Sequence, residues 1–61
     1  MSEKLAVQLR PGDRIVIDGR TETVTGTELS PSGNCWVATN VRGEADAHSL
    51  GSFERVTVSN R

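Results

Sequence analysis

The chain has 61 residues, 34% of them hydrophobic, with one cysteine and only two aromatics, Trp36 and Phe53. A domain of about 60 residues buries only about 60% of its unfolded surface, so this length allows one small domain, residues 1–61, with a thin core. Seven basic and eight acidic residues give a net charge of −1, which excludes the broad basic face of a strong, nonspecific nucleic-acid binder, and the lone cysteine excludes an internal disulfide.

No metal-ligand cluster and no cofactor motif is visible along the chain, so neither a metal nor a cofactor is expected. Association with a second copy is one way to bury more apolar surface. Met1-Ser-Glu-Lys4 lacks the apolar centre of a signal peptide, and no run approaches the roughly 18 apolar residues of a membrane span. A cytoplasmic protein without membrane contact is expected.

Leu5, Val7 and Leu9 alternate with Ala6 and Gln8, which predicts a half-buried strand over residues 4–9. Leu9-Arg-Pro-Gly-Asp-Arg-Ile-Val-Ile-Asp-Gly-Arg20 follows, a turn, a β-branched run and a second turn. Pro11 and Gly12 suit the centre of a type II turn, and Asp18-Gly19 suits the type I′ turn of a hairpin. The run between them is a short strand, with Ile15 and Ile17 on one face and Val16 on the other.

Arg20 to Leu29 is rich in threonine and predicts a pleated strand with one solvated face. Val24 and Leu29 have opposite parity, and Gly26 between them is suited to a β-bulge that switches the phase. Ser30 to Asn34 form a loop. Cys35 to Val41 return as a strand, with Val37, Thr39 and Val41 on one face and Trp36 and Ala38 on the other. Arg42-Gly43 turns the chain again. Glu44 to Leu50 alternate polar and small residues as an exposed strand does, with Glu44, Asp46 and His48 on one solvated face. Gly51 to Glu54 have the length of one 3₁₀ turn, and Arg55 to Val58 close the domain. Residues 1–3 and 59–61 are expected to fray.

Five or six short antiparallel strands, with a 3₁₀ turn before the last, predict an all-β fold, a small barrel. Their order over residues 9–58 resembles an SH3-like barrel, a likeness of architecture that implies no particular function. Gly12-Asp-Arg-Ile-Val-Ile-Asp-Gly19 resembles the opening of a KOW segment, the ribosomal and transcription-elongation version of that barrel, which implies nucleic-acid binding. The family's further closely spaced glycines reduce here to Gly26. The phrases Pro11 to Ile15 and Asp18 to Gly26 are similar to those of small uncharacterised proteins of actinobacteria and their phages, a likeness that implies no site residues. Gly12 to Ile15 and Glu54-Arg-Val56 also resemble plasmid-type dihydrofolate reductase. The segment Val-Gln-Ile-Tyr has no counterpart here, so no residue is carried over.

Trp36 is the leading candidate for a binding residue. On the outer face beside Ala38 it is an anchor for a protein partner; turned inward it is the main core aromatic. Arg14, Arg20 and Arg42 lie at strand ends near turns and, clustered, would extend a contact around Trp36 and Ala38. Acids at Asp13, Asp18, Glu22 and Glu44 equally suit scattered surface ion pairs. Cys35 and His48 invite a nucleophilic or metal reading, but the simpler expectation is a buried cysteine, a surface histidine and no catalytic residue. The chain is therefore expected to be a non-enzymatic protein-binding module, such as a small phage or accessory regulator of a host protein. A KOW-like nucleic-acid binder and a homo-oligomeric structural subunit are the alternatives.

Overall fold

The computed structural model describes residues Ser2 to Ser59. They form six strands, β1 (Ser2–Leu5), β2 (Arg14–Ile17), β3 (Arg20–Leu29), β4 (Asn34–Val41), β5 (Glu44–Gly51) and β6 (Arg55–Ser59), with one 3₁₀ helix, Ala6–Gln8, between β1 and β2. All neighbours are antiparallel and the order is β1-β6-β2-β3-β4-β5, so β1 and β5 are the two edges of one open sheet. The fold is all-β. Among the described residues no helix is long and apolar enough to cross a membrane.

The turns follow their local chemistry. Gly12 has φ of 97°, and the Asp13 amide donates to the Arg10 carbonyl at 3.1 Å, which closes the turn around Pro11-Gly12. Asp18 and Gly19 have φ of 51° and 76°, the paired positive values that a type I′ hairpin requires. Arg42-Gly43 repeats this geometry between β4 and β5, where Val41 faces Glu44.

Three expectations need correction. Only Ser2–Leu5 of the N-terminal segment is a strand; residues 6–8 wind into the 3₁₀ helix, so the alternation of Leu5, Val7 and Leu9 does not describe one strand. The Ala6 and Val7 amides reach across to the carbonyls of Glu54 and Ser52, at 2.9 and 3.2 Å. Those long-range bonds, with burial of Ala6, override the local period. The 3₁₀ helix therefore precedes β2. Before β6, residues 51–54 form only a turn closed by a Glu54 amide to Gly51 carbonyl bond of 3.0 Å. Ser2, Glu3 and Ser59 are paired in strands rather than frayed, while Met1, Asn60 and Arg61 lie outside the described residues.

The core contains Ala6, Leu9, Ile15, Val24, Cys35, Val37, Val56 and Val58, with Ile17 and Leu50 packed against it. It includes neither aromatic: Trp36 is 50% exposed and Phe53 79%. The β3–β4 register shifts between Val24 and Gly26, so the expected bulge is present. Beyond it Leu29 pairs with buried Cys35, as the phase switch requires, yet nothing covers that end of β3 and Leu29 stays 63% exposed.

At Gly26 the backbone does not need glycine, since φ is not positive and an added Cβ would meet nothing within 4 Å. Gly26→Ala should therefore keep or raise stability by about 0.5 kcal/mol, whereas Gly19→Ala in the type I′ turn should lower it by about 1 kcal/mol. Urea denaturation of both variants checks the contrast.

Asp13 accepts the Arg10 amide at 2.9 Å and the Lys4 ammonium at 3.2 Å. The backbone hydrogen bond, then Lys4, holds its carboxyl below the ordinary value of 3.8 against the opposing effect of burial. A depressed carboxylate stabilises the fold above its unfolded-state pKa and ceases to do so as pH falls through the folded value. Asp13→Asn should cost about 1 kcal/mol at neutral pH and lessen the loss of stability on acidification below about pH 4. A parallel acid dependence in wild type and variant would remove Asp13 from the account.

Candidate functional sites

Two features stand out on the folded chain, an outer depression around Trp36 and a polar cluster at one end of the interior. In β4 the side chains of Cys35, Val37 and Thr39 are buried, while Trp36 and Ala38 lie on the opposite face. In register Trp36 faces Glu28 and Ala38 faces Gly26. These residues and Thr27 line a shallow depression of about 220 Å³. Gly26 and Ala38 keep it low beside the indole. The indole thus lies beside small neighbours, with Glu28 also lining the depression.

The three arginines do not join this depression. Arg20 and Arg42 come from adjacent hairpins and line a separate concavity of about 730 Å³ with Gly19, Thr21, Val41 and Glu44. Arg14 begins β2, where it is in register with Thr23 and Ser59, whereas Arg20 is in register with Ile17 at the other end of that strand. At about 3.4 Å per residue, the three-step separation is about 10 Å. Trp36 with Ala38, Arg20 with Arg42, and Arg14 thus occupy three places.

The interior cluster was not legible along the chain. Directly opposed residues of antiparallel strands share a face. Val37 faces His48 and Thr39 faces Asp46, so Asp46 and His48 lie on the side of the sheet that carries the core. Glu44 and Asp46 are exposed, as expected, whereas His48 is half-buried. On the other side of β4 from β5 stands Glu22 of β3, whose side chain has no solvent exposure. The Thr39 hydroxyl donates to Glu22 Oε1 at 2.7 Å, and His48 Nε2 lies 2.7 Å from the same oxygen. An ionised carboxylate only accepts, so Nε2 carries the proton in this contact. Arg20 reaches Oε2 at 3.4 Å, and Asp46 Oδ2 stands 3.8 Å from His48 Nε2.

These donors set the electrostatics. The hydrogen bonds from Thr39 and His48 hold the Glu22 carboxyl below its ordinary value of 4.5, against burial and the nearby negative charge of Asp46. The His48 side chain is only 19% exposed, so it is an interior ligand of Glu22 rather than a surface residue. Glu22, Asp46 and His48 each offer an atom within 4.8 Å of the others, a grouping of metal-ligating types that their sequence spacing conceals. Glu44, by contrast, lines the Arg20–Arg42 concavity. Cys35 is buried as expected and donates to the Ala6 carbonyl at 3.6 Å, while His48 is committed to Glu22. Cys35 and His48 do not act as a pair.

No family model, curated protein or solved structure matches this chain.

Thr39→Val preserves shape but removes one donor from a buried carboxylate, and should lower stability by about 1–3 kcal/mol. Chemical denaturation followed by far-ultraviolet circular dichroism measures this. An unchanged midpoint would show that Thr39 contributes nothing to holding Glu22.

Proposed function

We propose that the chain is an SH3-like module that binds a protein partner through the depression around Trp36. The observation carrying this reading is an indole left 50% exposed in a protein whose core has no aromatic of its own. Burying a tryptophan is among the largest apolar gains available to a small domain, and here that surface is kept outside. Trp36 lies beside Ala38 and Gly26, small residues that let a partner's side chain reach the ring. Aromatic anchors flanked by small residues recur at the energetic centres of protein interfaces. A regulator of a host protein fits such a surface.

The separation of the arginines favours protein over nucleic acid as the partner. Arg20 is tied to Glu22 and shares its concavity with Glu44, so the phosphate-facing charge there is partly cancelled.

In the free protein, Trp36 fluorescence should be red-shifted and readily quenched by acrylamide. A partner captured from the cells that encode the chain should protect the indole and bind Trp36→Ala at least about 10-fold more weakly. Arg14→Ala should bind as wild type does. Partner binding undiminished in Trp36→Ala would overturn the assignment, and binding that collapses steeply with salt would redirect it to nucleic acid. Self-association through the same residue, seen by light scattering, would make the partner a second copy.

A further inference from the structure

We propose that Glu22, Asp46 and His48 form a binding site for a divalent first-row metal ion of the zinc class. The three ligating atoms come from the two strands that flank β4, on its inner face. Glu22 is on β3 and the other two are on β5, the strand at the free edge of the sheet. Two carboxylates and one imidazole are the mixed oxygen and nitrogen set that zinc, manganese or iron accepts, whereas magnesium and calcium prefer oxygen alone.

The spacing is that of a coordination face. Ligands about 2.05 Å from a tetrahedral zinc stand about 3.3 Å apart. Here Glu22 Oε1 and Asp46 Oδ2 lie 2.7 and 3.8 Å from His48 Nε2, on either side of that value, and the three groups fall within 4.8 Å of one another. Shifts of about half an ångström would adjust the two distances to His48, and the Glu22–Asp46 separation, at most 4.8 Å, would close by up to about 1.5 Å as the partly exposed Asp46 side chain swings in.

A second observation points to a cation. Asp46 Oδ2, at 3.8 Å from the ring nitrogen, is too far to hydrogen-bond yet adds a second negative charge beside a fully buried one. Its other oxygen accepts the Ala47 amide at 2.8 Å, which orients the carboxylate. The Thr39 hydroxyl donates to Glu22 Oε1, the ligating oxygen itself, at 2.7 Å and fixes its position. Outer groups that orient ligating carboxylates are the usual support of metal sites. His48 helps to line the groove between β5 and the β2–β6 pair, and the Asp46 side chain is 46% exposed, so solvent reaches the cluster through these two residues. A water molecule would complete the coordination. On binding, the Nε2 proton is displaced: a neutral ring then carries its proton on Nδ1, and an imidazolium releases one proton to solvent.

The test uses the full chain without a histidine tag, stripped with a chelator and titrated with Zn²⁺. Calorimetry should give one site per chain, and saturation to about 100 times Kd should raise Tm by about 10 °C or more. Magnesium and calcium should not. The His48 Nε2 resonance should move on zinc addition. Asp46→Asn and His48→Gln should each weaken binding at least about 10-fold, while Glu3→Gln, on β1, should bind as wild type does. Asp46 is partly exposed, so its variant tests the site even if the His48 variant fails to fold. Absence of saturable zinc binding up to about 1 mM would overturn the proposal. So would binding unaffected by Asp46→Asn, or binding that leaves the His48 resonance unmoved. None of these outcomes bears on the Trp36 depression.

Discussion

Glu22 places a negative charge in the interior of a very small protein, and the positions of three strands answer to it. Leaving such a charge without its partners costs about 3–5 kcal/mol, comparable with the whole stability that a core of this size supplies. Thr39 on β4, His48 on β5 and Arg20 on β3 itself meet that demand. A slip of one residue in the β3–β4 or β4–β5 register would turn Thr39 or His48 to the other face. The carboxylate therefore opposes register errors that the small side chains of β5 would otherwise permit. This gives β5 a reason to pack against the rest of the sheet, because only Leu50 of that strand joins the apolar cluster.

The interior accordingly has two ends of different chemistry. Ile15, Val24, Val37, Cys35 and their neighbours make the apolar end, which the 3₁₀ helix closes with Ala6 against Cys35. Glu22, Thr39, His48 and Asp46 make the polar end, beside the hairpin turns that carry Arg20 and Arg42. Among the described residues every buried side-chain nitrogen and oxygen has a partner, those of Glu22 and Thr39 included.

Much of the fold was legible in the sequence because it is written in backbone geometry. Pro11-Gly12 and Asp18-Gly19 specify their turns locally, and the alternation in β4 divides Val37 and Thr39 from Trp36, though only the fold decides which face is inward. The N-terminal segment was not legible, since residues 6–8 are decided by amide bonds to Ser52 and Glu54, more than forty positions away. The candidate sites divide along the same line. Parity within one strand grouped Trp36 with Ala38 but left open whether that face is core or surface, which the packing of Val37 and Thr39 decides. Glu22 was hidden, because an acid in a threonine-rich strand looks solvated until the register sets Thr39 and His48 against it. The only local hint was its parity with Val24, a residue of the core.

Keeping both aromatics out of the core has a spectroscopic consequence. The environment of the indole in the folded chain already approaches that of the unfolded one, so the intrinsic emission responds weakly to loss of structure. The same chromophore responds strongly when another surface covers it. Light from Trp36 is therefore an optical probe of contact, and backbone dichroism is the measure of folding.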